Sequence, residues 1–372
     1  MKGITSSLEL LRNLVRDMHV LERLGENQAI EIWNKFVREK IRSRDLGLNP
    51  GFYSFYIRLP EFTPYYLILS EKGSTVALFP VVRDRQKFCS LPHLSYGGIY
   101  TTTSNEGNID SGRLIPWMIS LLKEESPPAG FYQCEIGKLL KRDENGQIEM
   151  EIRNRQPLFG QEETEKTVQM INLRGHEEDF LALLSSNVRR KIASARKKGV
   201  VVRKGGGELV ADFTRVYNRN IQRLGSPTLG KHFFSFLTEI GNLNPELFVA
   251  YLDGRAVGGG FAMSYAGFYE NTWFATLQSF NRFYISYLLH AEMIKSAIEK
   301  KADIYSLGRS TQGGGVHQYK LQWPVSEVPV YFSNNRQKKF RLKDQQWLTE
   351  IWKILPHVIA DGLGPYFARK VY

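Results

Sequence analysis

Leu307-Gly308-Arg309-Ser310-Thr311 brings a guanidinium and two hydroxyls together directly after a glycine, and Tyr319-Lys320-Leu321-Gln322-Trp323 follows shortly after. Arginine is a fixed cation whose planar fork of donors suits phosphate or carboxylate. The neighbouring hydroxyls of Ser310 and Thr311 add groups that both donate and accept. The apolar run from Ala302 to Leu307 reads as a buried strand ending at this cluster. The C-terminal end of such a strand is where open α/β folds place ligands. The same residues equally suit an arginine that closes a loop on a nearby carboxylate, and both readings stay open here.

Other side chains gather around this centre. Lys320 offers a second cation for a phosphate or an oxyanion, or else a solvated side chain. His317, beside Gly313-Gly314-Gly315, is a candidate base on a loop that could close as a lid. His290 is a second candidate base, although a structural place on its helix suits it better. Tyr319 and Asn281 are candidate substrate contacts. Asn220 and Arg223 fall one turn apart on one helical face, where they contact substrate or cap a loop. Tyr96, Gly97 and Gly98 line a groove or form a structural bulge. No nucleophile stands out: neither Cys89 nor Cys134 has activating neighbours, and no Gly-x-Ser-x-Gly elbow is present. The two cysteines offer neither metal spacing nor a disulfide framework, so reduced thiols in a cytosolic protein are expected, with no metal.

The chain has 372 residues, long enough to favour two domains over one core. It is 42% hydrophobic, 24% charged and 12% aromatic, a globular composition. Fifty Lys and Arg against 38 Asp and Glu leave +12, which favours phosphates, nucleotides, nucleic acid or an anionic membrane. The excess concentrates in residues 187–198, where Val188, Ile192 and Ala195 share one helical face. Arg189, Arg190, Lys191, Arg196 and Lys197 on that helix either track the phosphates of tRNA or of a lipid-linked precursor, or form a solvated face. No signal-type apolar core follows the N-terminus, and no window reaches the ~20 apolar residues of a membrane span. A cytoplasmic protein, with room for peripheral contact at the inner membrane face, is expected.

The elements that must position these groups can be read from periodicity and turn signals. In the first half, a helix is expected over 29–40, strands over 65–70 and 75–82 about Lys72-Gly73, and a helix over 114–123. Polar text over 141–165 suggests a connection, with a hairpin at Asn145-Gly146. In the second half, helices are expected over 187–198, 209–224 and 231–240. Strands over 247–252 and 256–265 join through Asp253-Gly254, a strong hairpin signal. A strand over 272–277, a helix through Tyr287, Ala291, Ile294 and Ile298, and strands over 304–307 and 328–332 follow. The 345–358 region is amphipathic, with Trp347, Ile351, Trp352 and Leu355; it can rest on a membrane surface, though burial against the second domain is the stronger expectation.

This order of elements resembles an acyl-CoA N-acyltransferase (GNAT-like) domain. Residues 187–202 resemble the R-x-x-I-x-x-A-x-x-x-G-V helix of Fem-type peptidyltransferases. Residues 212–227 (DFTRVYNRNIQRLGSP) resemble a segment of FemAB-like proteins from exopolysaccharide and PEP-CTERM/exosortase loci. Residues 307–323 are similar to that group's D-F-G-R-S-T … Y-x-F-K-x-x-W-G, and residues 90–98 to its S-x-P-x-x-x-Y-G-G. Leu307, Ser306 and Pro324 depart from the pattern. Where GNAT enzymes cradle a pyrophosphate on a glycine-rich loop, this chain has Gln278-Ser279-Phe280-Asn281-Arg282-Phe283-Tyr284-Ile285, whose side chains crowd close backbone approach.

The resemblance implies an α/β (α+β) fold of two tandem GNAT-like domains, over 1–165 and 166–372, each a mixed, mostly antiparallel sheet flanked by helices. It implies an acyl- or aminoacyltransferase whose amine acceptor attacks directly in a groove between domains, with Arg309 and Lys320 stabilising charge. The acceptor is a nucleotide- or lipid-linked peptidoglycan or exopolysaccharide precursor. The donor is aminoacyl-tRNA or acyl-CoA, and no bound cofactor is implied. Acetylation of a small amine or amino sugar by acyl-CoA, and a non-catalytic basic binding protein, are the alternative functions.

Overall fold

The computed structural model describes residues 18–20, 26–40, 45–71, 74–84, 87–95, 97–98, 100–101, 130–136, 138–142, 148–152, 161–176, 179–334 and 346–371. The chain divides into two compact units, Met1–Thr164 with Pro329–Gln337, and Glu165–Val328 with Lys338–Tyr372.

In the first unit, β1 (Met18–Val20), β2 (Phe62–Glu71), β3 (Ser74–Asp84), β4 (Lys87–Cys89) and β6 (Gly130–Ile136) form one sheet in that order, and β5 (Tyr100–Thr101) pairs with β3. Neighbours run antiparallel except β4 and β6, which are parallel. Helices α1 (Glu26–Lys40) and α2 (Gly51–Ile57) bury Trp33, Phe36, Phe52 and Phe55. Strands β7 (Lys138–Arg142) and β8 (Ile148–Ile152) pair antiparallel on either side of the Asn145-Gly146 signal. The polar stretch over 141–165 is therefore not a plain connection: it holds β8 and the start of β9 (Gln161–Asn172). The helix expected over 114–123 lies outside the described residues.

The second unit has the strand order β9, β14 (Ile304–Thr311), β13 (Phe268–Thr276), β12 (Arg255–Tyr265), β11 (Glu246–Leu252) and β10 (Val201–Gly205). All neighbours are antiparallel except β13 and β14. A parallel pair needs a crossover, and α7 (Ile285–Glu299) supplies it. Apolar nearly all round, α7 buries Leu288, Leu289, Met293 and Ile294. On β12, a Cβ at Gly258 or Gly260 would come within 2.6 Å of Ile285 or Met293 of α7. At Gly259 it would come within 2.9 Å of Phe213 on α5 (Val210–Arg223). Three consecutive glycines thus let α7 and α5 lie directly on opposite faces of the sheet.

Short α3 (Phe180–Leu183) leads into α4 (Ser186–Lys197), which buries Val188, Ile192 and Ala195, the face its spacing predicts. Ser185 caps it by accepting from the Val188 N–H, and Gly199, at φ 82°, ends it with the Val200 N–H donating to the Ala195 carbonyl. Helix α6 (Lys231–Glu239) packs beside α5. Beyond β14 come α8 (Gly315–Lys320) and β15 (Ser326–Asn334), whose residues 330–334 pair with β6 in the first unit. The glycine-rich segment that suggests a lid is thus the entry to a helix. The C-terminal amphipathic region is two helices, α9 (Gln346–Ile354) and α10 (His357–Val371), divided at Pro356.

Gly308 is the backbone position on which the sheet turns. Its φ is 75°, and the register of β14 against β9 breaks between Ser306 and Arg309. A Cβ there would sit 2.8 Å from the Asn271 carbonyl oxygen. Gly308→Ala is expected to destabilise the protein in urea unfolding by about 2–4 kcal/mol, strain and clash together. Gly254→Ala, at a similar φ of 72° with nothing within 4 Å, should cost only about 1–2 kcal/mol.

Candidate functional site

Strands β13 and β14 pair for only three residues, Phe268 with Ile304, Tyr269 with Tyr305 and Glu270 with Ser306, although both continue beyond. Past that point they are not paired, and a cavity of about 520 Å³ is lined by both, from Asn271 to Thr276 and from Leu307 to Arg309. Helix α5 contributes Tyr217, Asn220 and Arg223, α7 contributes Ser286 and His290, and α8 contributes Tyr319 and Lys320. Asn281 comes from the 3-10 turn Gln278–Phe283 that precedes α7. All of these residues belong to the second unit.

Seven side chains singled out in the sequence therefore meet at one cavity: Asn220, Arg223, Asn281, His290, Arg309, Tyr319 and Lys320. Arg223 donates to the Asn220 side chain at 3.1 Å, so the pair one turn apart acts as a unit. Lys320 is 5% exposed and donates to the carbonyl oxygens of Gly308 at 2.6 Å and Arg309 at 3.2 Å. Burial pulls its pKa down to about 7; the Glu270 carboxylate opposes that shift and the Arg309 charge adds to it. Tyr319 is buried and its hydroxyl titrates far above the usual range for the same reason.

His290 is the structural residue its helix position suggests, and it also lines the cavity. Its ring stacks on Phe274 with centroids 4.4 Å apart, and its Nδ1 lies 2.8 Å from the Tyr305 hydroxyl. Burial, helped by the Lys320 charge, lowers its pKa to about 3, so it is neutral at physiological pH.

Asn271 was missed. It is 2% exposed, and neither Oδ1 nor Nδ2 has a hydrogen-bond partner among the described residues. The Thr272 hydroxyl beside it is also unpartnered. A buried amide left unmet costs about 1–3 kcal/mol, so such a group calls for a partner, a ligand or a bound water. The signal was available: Glu270-Asn271 interrupts an aromatic strand run, but a strand begun at Thr272 leaves it out.

Other expected site residues lie elsewhere. His317 is not among the cavity residues: its Nδ1 accepts from the Gly313 N–H, so Nε2 carries the proton and donates to Glu327, and both nitrogens are engaged. That bond holds the Glu327 carboxyl below its usual range. Ser310 donates to Gln169 at 2.7 Å, and Thr311 accepts from Lys166, so both hydroxyls are engaged with β9 rather than with the cavity. Gly97 and Gly98 are in the first unit, where a Cβ on Gly97 would meet Leu91 at 2.9 Å, a packing role. Tyr96 lies outside the described residues. On α4, Lys191 donates to Tyr287 and Gln322 at 2.8 and 2.9 Å, and Arg196 pairs with Glu292 at 2.9 Å. Lys191 is half-buried, while Arg196, although paired, is exposed together with Arg189, Arg190 and Lys197. Among the described residues, no cluster could hold a metal ion and no helix is long and apolar enough to cross a membrane.

Residues 184–321, which contain the cavity, match the family model of the acetyltransferase (GNAT) domain. Comparison with curated proteins gives no match. Among solved structures, FemX superposes with a TM-score of 0.56 at 11% identity, over 84% of this chain and 96% of that one. A tandem GNAT protein from the clavulanic acid biosynthesis pathway gives 0.52 at 9% identity, over 85% and 98%. L-PGS from Bacillus licheniformis gives 0.50 at 13%, over 89% and 98%. The fold is the two-domain GNAT-like fold.

The Lys320 environment sets a pH signature of stability. Its pKa is near 7 folded and 10.5 unfolded, so between these values the unfolded chain binds more protons and stability rises with pH. Lys320→Met removes that contribution. Its stability relative to wild type is expected to fall steadily from pH 7 to 10 in urea titrations; a constant difference would place the lysine pKa outside this window.

Proposed function

We propose that the second unit is a Fem-type N-acyltransferase that moves an aminoacyl group from aminoacyl-tRNA to an amino group of a nucleotide- or lipid-linked cell-envelope precursor, at the cytoplasmic face of the membrane. One observation carries the reading: where β13 and β14 part, an unpartnered buried amide and a buried lysine line the same cavity. The GNAT domain match and the fold shared with FemX support it.

The chemistry follows from hydrogen-bond capacity. A neutral lysine amine has two N–H donors and one lone pair. Both donors of Lys320 have carbonyl partners in Gly308 and Arg309, which leaves the lone pair to take a proton. The acceptor amine attacks the donor carbonyl carbon and the C–N bond forms. Lys320 receives the amine proton and passes it to the ester oxygen, which leaves with the bonding pair as the alcohol. The Asn271 Nδ2–H donates to the carbonyl oxygen as it gains charge, and Oδ1 accepts from an N–H of the incoming amine. Arg309 and Arg223 supply positive charge at the cavity wall for an anionic substrate group.

The turn before α7 favours tRNA over CoA as donor. A pyrophosphate cradle needs close approach to exposed backbone amides. Here Phe280, Phe283 and Tyr284 pack against the core, and Lys198 Nζ already donates to the Arg282 carbonyl oxygen at 2.6 Å. The exposed Arg189, Arg190 and Lys197 suit a phosphate backbone instead. The GNAT domain match supports the second reading, an acyl-CoA donor and a small amine.

Thermal unfolding with aminoacyl-tRNA, uncharged tRNA, acetyl-CoA and CoA separates these donors. A saturating ligand at about a hundred times its Kd adds ~2.7 kcal/mol. Stabilisation by the charged tRNA alone supports the aminoacyl donor; stabilisation by CoA species alone replaces it with the second reading. In a transfer assay, Asn271→Ala is expected to lower kcat by roughly a hundredfold or more. As a base, Lys320 makes kcat/KM rise with pH through about 7. A fall over that range would mean that the protonated lysine is the active form, a fixed cation rather than a base.

A further inference from the structure

Helices α9 and α10 are mounted with the apolar side outward. Their inward contacts are small or polar: Ala360, Gly364 and Ala368 are buried against the unit, with Trp352 the one large exception. Gln222 of α5 donates to the carbonyl oxygens of Trp352 and Leu355 at 3.3 and 2.7 Å and meets His357 Nδ1 at 2.5 Å. Asn218 donates to Asp361 at 2.8 Å. A Cβ at Gly225 would overlap Thr349, and one at Gly364 would overlap Thr228, so the two helices are seated tightly on the α5 end.

Exposed on α9 are Trp347 (61%), Ile351 (46%) and Ile354 (81%) at helical spacing, and on α10 Val358 (85%), Leu363 (44%) and Phe367 (39%). Surface helices ordinarily bury their apolar stripe. A concentration of this kind marks an interaction surface. Its chemistry points to one partner. Large aliphatic and aromatic side chains on helices lying flat, within a basic sequence, are what an anionic bilayer surface takes up. Between residues 336 and 371 the sequence has eight Lys and Arg against three Asp and Glu. Two of those acids are engaged, Glu350 by Lys353 and Asp361 by Asn218.

We infer that the outer face of α9 and α10 docks the protein on an anionic lipid bilayer. Ile354, Val358 and Trp347 enter the headgroup boundary and the basic excess adds salt-dependent attraction. This stands apart from the acyl-transfer reading, since none of these side chains lines the cavity.

The test is flotation of the full chain with vesicles of phosphatidylglycerol and phosphatidylcholine, and with phosphatidylcholine alone. Binding is expected to the mixed vesicles, weaker as salt rises, and weaker still or absent on phosphatidylcholine. Ile354→Ser with Val358→Ser should reduce partitioning roughly tenfold or more, and Trp347→Ser by a smaller factor. All three side chains are exposed, so melting temperatures should stay near wild type. Absence of flotation overturns the inference, as does binding that the variants leave unchanged. Light scattering is the second measurement: a wild-type dimer that the double variant converts to monomer would assign the face to a second copy and overturn it equally.

Discussion

The structure depends on a constraint in one place, the parting of two parallel strands. Strands β13 and β14 hydrogen-bond while their ends are brought together by α7, and they separate after Glu270 and Ser306. Gly308 makes the separation possible, because only a residue without a Cβ can take a φ of 75° this close to the Asn271 carbonyl. The bulge that follows turns Ser310 and Thr311 to β9, where Gln169 and Lys166 receive them, and returns Arg309 to the cavity. A continuous ladder here would leave no room between the strands and no unpaired edge for a ligand to meet.

Around that opening, electrostatics and burial are coupled. Lys320 is carried in on α8, whose position is set by His317 bonded to Glu327 and to the Gly313 N–H. His317 therefore acts through the placing of Lys320 and Tyr319 rather than at the cavity itself. Burial lowers the lysine pKa, the Glu270 carboxylate opposes that shift and the Arg309 charge adds to it, and the balance falls near pH 7. That is where a proton acceptor working at physiological pH is most effective. The same burial keeps His290 neutral, so the cavity contains one titrating base rather than two.

Helix α5 serves both ends of the second unit. Its first turn packs Phe213 on the glycine run of β12, its last turns bring Asn220 and Arg223 to the cavity, and Asn218 and Gln222 hold the C-terminal helices. One rigid rod thus links the site to the outward apolar face.

Much of this was legible in the residues. The amphipathic stripe of α4, the Asp253-Gly254 turn and the apolar run of α7 are local patterns, and local patterns are what periodicity and turn chemistry report. Arg309, Tyr319, Lys320, Asn220, Arg223 and Asn281 are candidates on the sequence and its resemblance, and all six line the cavity. What only the tertiary structure decided is which neighbours each group meets. The pairing of β14 with β9 gave Ser310 and Thr311 their partners in Gln169 and Lys166. Helix packing tied Lys191 to Tyr287 and Gln322 and paired Arg196 with Glu292 at the surface, while Arg189, Arg190 and Lys197 stay in solvent. The amphipathic C-terminal text reads as a helix that buries its apolar side; the structure buries Trp352 and leaves Trp347 and Ile351 exposed. Asn271 became a candidate only when its amide proved both buried and unmet. Composition and spacing determine elements and which chemistries are available; burial, pKa and partnership are properties of contacts between distant segments, and those exist only once the chain has closed on itself.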